Sequence, residues 1–553
     1  MKYEILLKTW CDGLIERQIV DAHDKNMNGG FICPACKTMH GRGDNAIYAF
    51  YYMFDRTGEE KYRKAAELCF DFQENFICDD NAVRNDANVT WKAITVFSAI
   101  SYLKTLENFS EHIRDKEKFV NRTSNMVDWV YNNLTLDFYS NINYQCATSL
   151  CMALAGKYFS CGNFTKRAEE ILLYCVNNFT ENGILYGEGH PHNITSKKGC
   201  KAIDIGYNVE ESVPALAETA VILDNKEAID EFVIVLKKQL AFMLPDGAWD
   251  NSFTCRNYKW TYFGSRTSDG AAGIYMLYSK YDKCFEFAAK RNLDLMEKCT
   301  ADGLLYGGPQ YKKAGEKPCV HHTFTHVVAL TDALLLGINE GDGKIPSDDF
   351  TPYVKYFAEL DSYKICNGNF IADFSNYDIN RGAFKNGVGY ATGGAMSLLY
   401  HKKKGIITAS SVFSYKLAES NNQQLTLREK MHLNLTPRAE IIKDGTVYAT
   451  CLDTKAKLEV KDNFVKVKTT FENLKGDALC TAVITYNFDG DKVKIKVESD
   501  FEFEYILPII ADCKTVSGNE FETKEIFNLV PGFIATQYTF KSLKNKVEIE
   551  IIA

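Results

Sequence analysis

No stretch of this sequence is apolar for the roughly 20 residues a membrane-spanning helix needs, so no membrane partner is expected. The opening MKYEILLKTWCDGLIERQIV also lacks a sustained apolar segment and carries Lys2, Glu4 and Lys8, so it does not read as a secretory signal. A cytoplasmic location is the expectation, with prior removal of a signal left open. Excess positive charge is missing too. With 64 Lys and Arg against 72 Asp and Glu, the net charge of -8 argues against holding nucleic acid or another polyanion by bulk electrostatics. Any acidic substrate must be gripped by locally placed Arg, Lys and His. The eighteen cysteines have no framework spacing, and Cys69, Cys146, Cys151 and Cys175 sit inside apolar helical segments, which reads as free thiols rather than disulfides. Sequons such as Asn88 reflect an Asn-rich composition, and low-complexity tracts are absent.

At 553 residues the chain exceeds one ordinary core and implies two large domains. From residue 1 to 345, apolar residues recur at three- and four-residue spacing, as in Asn45 to Phe54, Trp91 to Leu106, Asn143 to Phe159 and Thr325 to Leu336. Asn-Gly or Asp-Gly followed by apolar residues recurs at Asn182, Asp246 and Asp302, with a looser relative at Asn28. Such recurrence predicts helical hairpins carrying equivalent loops on one face. An (α/α) toroid is the expected arrangement, and a solenoid of the same hairpins is the alternative. After the Gly/Asp/Pro-rich segment Ile338 to Asp349, short alternating runs begin: Gly405 to Phe413, Lys457 to Val467, Lys492 to Val497 and Lys546 to Ile552. Residues 346–553 are therefore expected to form an antiparallel β-sandwich, with hairpin turns at Asn367, Asn386 and Asp489.

The richest stretch chemically is Pro245 to Gly270, PDGAWDNSFTCRNYKWTYFGSRTSDG. Flat aromatic faces such as Trp249, Tyr258, Trp260 and Tyr262 suit sugar rings, and Arg256 and Arg266 suit carboxylates. Trp91, which opens a helical segment, joins the aromatic set. Packing of these aromatics beneath a long loop is the plainer alternative. FICPACKTMHGRGD presents Cys33, Cys36, His40 and Arg42, half of a zinc site without a second pair at finger spacing. A distant ligand such as His23 would complete it; otherwise His40 and Arg42 face the cleft, or the segment is a cap with free thiols. Asn143-Tyr144 heads an apolar helix, where an amide either binds a carboxylate or caps the helix. GEGHPHN and DIGYNVEES supply Glu188, His190, His192, Asp204, Tyr207, Glu210 and Glu211. Neighbouring Glu210 and Glu211 point to different sides and do not form an acid/base pair together. His322 and His326 share a helical face but lack the intervening Glu of zinc hydrolases, and so read as cleft histidines.

Helical repeats followed by a sheet domain, including GGAMSLLYHKKKGIITASSVF, resemble the heparinase II/III-like and alginate-lyase-like toroid enzymes over nearly the whole chain. RNYKWTY, NxNY and GYNVEES look most like the glucuronan and alginate lyases of polysaccharide lyase family 38. That resemblance implies a Tyr acid/base, an Arg six residues before it, an upstream Asn and an imidazole, which here become Tyr262, Arg256 and Asn143 with His322. Tyr207 stands where the family pattern has a cleft histidine and is counted with the catalytic set. His40, Arg42, Trp91, Glu188, His190, His192, Trp249, Tyr258, Trp260, Arg266 and His326 are the expected substrate contacts. The implied reaction is β-elimination on an acidic oligo- or polysaccharide, needing no metal or cofactor if Arg neutralises the uronate. A hydrolase akin to the β-glucuronidases of glycoside hydrolase family 154, using two carboxylates among Asp86, Glu188, Asp204, Glu210, Asp250 and Asp269, is the alternative. A non-catalytic glycan binder is the third reading, and a homo-oligomer is left open.

Overall fold

A computed structural model describes residues 2–21, 23–86, 89–379, 391–413 and 434–553. The Asn386 turn, the Asn88 sequon and part of the sheet-domain segment following Phe413 lie outside the described residues. Six helices, Ala46–Thr57, Thr95–Phe109, Asn143–Tyr158, Val213–Ile222, Ala272–Tyr278 and Val320–Leu335, pack each against the next and the last against the first. They close a ring, which excludes the solenoid. Their sequences are apolar or small nearly all round, as buried helices must be; Asn143–Tyr158 exposes almost none of its residues. Six outer helices, Glu60–Phe72, Lys116–Asn133, Gly162–Val176, Lys226–Gln239, Lys283–Lys298 and Lys2–Ile15, each cover an inner one and keep a polar face. Small residues let the inner ring close tightly. At Gly273 an added Cβ would lie 2.8 Å from the Cβ of Asp332 on the neighbouring inner helix. Inside the ring, Lys104 Nζ reaches Asp332 at 2.6 Å and Glu218 at 2.9 Å, tying three inner helices together.

Each of the first five inner helices passes to its outer partner through a short link, whereas the return to the next inner helix takes a longer loop, as at 73–94, 177–204, 243–271 and 299–319; the sixth is covered by the N-terminal helix Lys2–Ile15. All inner helices therefore run in the same direction. Their N-termini and the long loops share one face of the toroid.

The last inner helix ends at Leu335, and the first sheet strand starts at Tyr353. A five-stranded antiparallel meander, Tyr353–Phe357, Ser362–Cys366, Phe370–Ser375, Ala395–His401 and Gly405–Ala409, stacks on a larger, strongly curved antiparallel sheet of eleven strands. Ile365, Phe374, Met396 and Leu399 from the meander meet Val465, Tyr486, Ile495 and Tyr505 from the larger sheet in the sandwich core. The expected strand at Lys457 to Val467 is in fact the bend of a hairpin: Lys457–Lys461 pairs with Phe464–Glu472, because Asp462-Asn463 supplies a two-residue turn. Ala395–His401 is buried on both faces, which accounts for its continuous apolar reading. Its other side, with Leu398 and Tyr400, joins the toroid core.

The junction is polar as well as apolar. Lys364 of the meander lies 3.1 Å from Asp250 of the toroid and 3.0 Å from Asp373, all three buried. Tyr377 donates to the Lys201 carbonyl at 2.7 Å, and the Lys201 amide donates to the Glu359 carbonyl at 2.8 Å. These contacts come from loops entering the fourth and fifth inner helices, and Tyr311 on the loop entering the sixth donates to the Leu529 carbonyl at 2.6 Å, so the sandwich covers that half of the loop face. The other half stays open.

Candidate active site

The open half holds a cavity of about 340 Å³ at the N-termini of the inner helices. Helix N-termini carry partial positive charge, and six of them converge on this end. Arg42, Arg256 and Lys259 add full charges to the lining.

Tyr207 is the centre of the arrangement. It ends a short helical turn, Ile205–Tyr207, whose N-cap Asp204 accepts the Gly206 amide. Its phenol oxygen is 2.6 Å from Thr267 Oγ1 and accepts from Lys259 Nζ at 3.1 Å. The Arg256 guanidinium lies over its ring, 4.7 Å from the centroid. Arg256 is in turn 3.2 Å from buried Glu188. Arg256 and Lys259 flank the 3₁₀ turn Asn257–Lys259, where residues three apart eclipse and so project together.

Across the cavity, Asn143 at the start of its helix donates to Glu211 Oε1 at 2.5 Å. Burial, reinforced by the charge of Asp269, pushes the Glu211 carboxyl up to about 8. Glu210 faces the other way, accepting the Ser265 amide at 2.7 Å and holding the 265–268 loop. The π-helical turn Asn208–Ser212 carries both, and no side chain fits at Gly264, where a Cβ would meet Glu210 Oε1 at 1.9 Å. Arg42 pairs with Asp269 and stacks on Phe97 at 4.1 Å. Trp91, 38% exposed at the rim, donates to the Tyr144 hydroxyl at 2.7 Å.

Of the residues expected from sequence, Asn143, Tyr207, Arg256, Arg42 and Trp91 line this cavity. Glu188 supports Arg256 from behind. His192 takes Tyr174 at 2.8 Å and the Ser140 carbonyl at 3.0 Å, fixing the loop whose Ser140 and Asn141 also line the cavity. His190 packs against exposed Tyr139 and is not among the lining residues. His40 lies one layer back, stacked on His321 with ring centroids 4.8 Å apart.

The remainder of the expected set sits elsewhere. Tyr262 is buried, donates to Asp246 at 2.8 Å and packs edge-on to Phe533 of the sandwich; burial and Asp246 push its phenol well above the usual range. Trp249, Trp260 and Tyr258 belong to the core, with Trp260 donating to the Trp249 carbonyl at 2.7 Å. Arg266 donates to Tyr311 at 2.8 Å and to the Leu529 carbonyl, a domain contact. His322 is buried toward Phe263, and His326 Nδ1 lies 2.7 Å from the His322 carbonyl. Adjacent helical residues point about 100° apart, and it is His321 that faces the cavity. Tyr144, Glu211, Lys259, Thr267 and His321 also line the cavity although they were not among the expected catalytic or substrate-binding residues; for Lys259 the available signal was its spacing of three from Arg256.

Closed toroid, sheet sandwich and a cationic, aromatic-rimmed cleft together fit a polysaccharide lyase. A family model described as the ulvan lyase N-terminal domain matches residues 7–342, and one described as the ulvan lyase C-terminal domain matches residues 354–520. The chain belongs to the ulvan lyase family. It is 33% identical to a broad-specificity ulvan lyase from Formosa agariphila, over 96% of this chain and 90% of that protein. Among solved structures, heparan sulfate lyase HepC from Pedobacter heparinus aligns with TM-score 0.42 and 10% identity, covering 92% of this chain and 75% of that one. An α-1,6-mannanase from Salegentibacter sp. HEL1_6 aligns with TM-score 0.44 and 10% identity, covering 60% of this chain and 99% of that one.

Proposed function

We propose that this enzyme depolymerises ulvan, the substrate for which its relative is named, by β-elimination with Tyr207 as the proton-transfer group. The observation that carries the reading is the Tyr207 hydroxyl, which faces the cavity with an ammonium at 3.1 Å and a guanidinium over its ring. In the elimination the C5–H bond of a uronate breaks, its electron pair forms the C4=C5 double bond, and the C4–O4 bond cleaves with protonation of the departing oxygen. Tyr207 takes the first proton and delivers the second. Lys259 and Arg256 stabilise the phenolate that exists between these transfers.

The uronate carboxylate must be neutralised as negative charge spreads onto it. Asn143 and Glu211 suit this role. With its carboxyl pushed up to about 8, Glu211 holds a proton at neutral pH and donates it in a hydrogen bond rather than repelling the substrate. The helix N-termini act in the same sense. Hydrolysis calls for two carboxylates flanking the scissile bond; among the described lining residues Glu211 is the one carboxylate.

Incubation with ulvan is expected to produce growing ultraviolet absorbance from the new double bond, in step with new reducing ends. Reducing ends without that absorbance would overturn elimination and return hydrolysis to the front.

A further inference from the structure

Behind the cleft lies a cluster that the elimination chemistry does not use. In the segment CPACK the Cys33 amide donates to the Thr38 carbonyl at 3.1 Å, and the Lys37 amide donates to the Cys33 carbonyl at 2.9 Å. Lys37 adopts a left-handed conformation, φ 59°. This tight turn sets both thiols on one side, and the ligand atoms of Cys33, Cys36 and His40 all lie within 4.8 Å of one another. Cys36 Sγ is 3.0 Å from His40 Nε2.

A fourth thiol, outside that group of three, approaches Cys33 from the neighbouring sixth inner helix. Cys319, the N-cap of the last inner helix, places its sulfur 3.7 Å from that of Cys33. Zinc–sulfur bonds of about 2.3 Å in a tetrahedron put two sulfurs about 3.8 Å apart, whereas a disulfide requires about 2.05 Å. All four residues are buried, none more than 7% exposed. His23, the sequence-based candidate for completing the set, is exposed.

We propose that Cys33, Cys36, His40 and Cys319 bind one structural zinc ion. Three soft thiolates and an imidazole form a closed four-ligand set, which suits zinc and leaves no open position for substrate. The ion joins the loop before the first inner helix to the start of the sixth, so it clamps the ring where the chain's two ends of the toroid meet. It also fixes the imidazole of His40, which stacks on cleft-lining His321, and the backbone two residues before Arg42.

Elemental analysis of the full chain, purified without chelator, is expected to find one zinc per chain. Cys33→Ser and Cys319→Ser should each bring it near zero, while Cys299→Ser, a buried cysteine outside the cluster, keeps it. Should those variants fail to fold, the wild-type chain serves alone. Stripped by a chelator and refilled with cobalt, it should show the charge-transfer and visible d–d absorption of tetrahedral thiolate-bound Co(II). Wild-type protein that neither contains zinc nor gives the cobalt spectrum overturns the proposal, as does a Cys33–Cys319 disulfide found by mass spectrometry.

Discussion

Two tyrosine–charge pairs involve the stretch from Pro245 to Gly270, and they have opposite surroundings. The Tyr207 oxygen meets the Lys259 ammonium, with Arg256 over the ring, at the open cavity. The Tyr262 oxygen meets the half-buried Asp246 carboxylate, and Arg266 donates through one nitrogen to Tyr311 and the Leu529 carbonyl. A cation beside a phenol favours the phenolate, whereas a carboxylate beside it opposes ionisation. The first pair suits proton transfer; the second fastens one domain to the other. Residue type is the same in both, and the sign of the neighbouring charge separates them.

The sharpest way to break this contrast is Tyr207→Phe, expected to lower kcat by about 10²–10⁴-fold with an unchanged thermal transition. Near-normal turnover would remove Tyr207 from the chemistry. A smaller effect is expected from Glu211→Gln, read as a pH profile. In the native enzyme activity is expected to fall as pH rises through about 8, where Glu211 loses its proton; the amide keeps donating, so that limb should flatten, a difference of about tenfold one pH unit higher. Stability follows the same sign. The folded protein holds this proton above the ordinary carboxylate range near 4.5, so stability is fully present below that range and is lost as pH rises toward 8. A native-like alkaline limb in the variant would show that another group sets it. The smallest effect on rate is expected from Tyr262→Phe, which removes a hydrogen bond to a half-buried carboxylate. Melting should report a loss of about 1–3 kcal/mol with kcat unchanged; loss of turnover in a stably folded variant would reverse the two roles.

The architecture was legible because its signals are periodic. Segments such as Asn143–Tyr158 announce inner helices by being apolar or small all round, and Lys546–Ile552 alternates cleanly. Val320–Leu335 begins five residues before the apolar run that marked it, since its first turns hold His321 and His322 rather than aliphatic residues. Within the site, sequence identified the segments but not always the side chain that turns inward. His321 and His322 are neighbours, and a rotation of about 100° along the helix decides between them. The aromatic richness of Pro245 to Gly270 pointed to sugar, yet Trp249 and Trp260 are fully buried because half of this loop lies beneath the sandwich. No local pattern reports what a distant domain covers.

The buried triad of Lys364, Asp250 and Asp373 extends that point to the behaviour of the whole chain. Separating the domains would part Asp250 from Lys364, which keeps Asp373 on its own sheet, and would tear a continuous apolar core. Asp250 lies only six residues before Arg256 on the same loop. Toroid and sandwich are therefore expected to melt as one cooperative unit rather than as two beads on a string, and removal of the sandwich is expected to loosen the loop that aims Arg256 and Lys259.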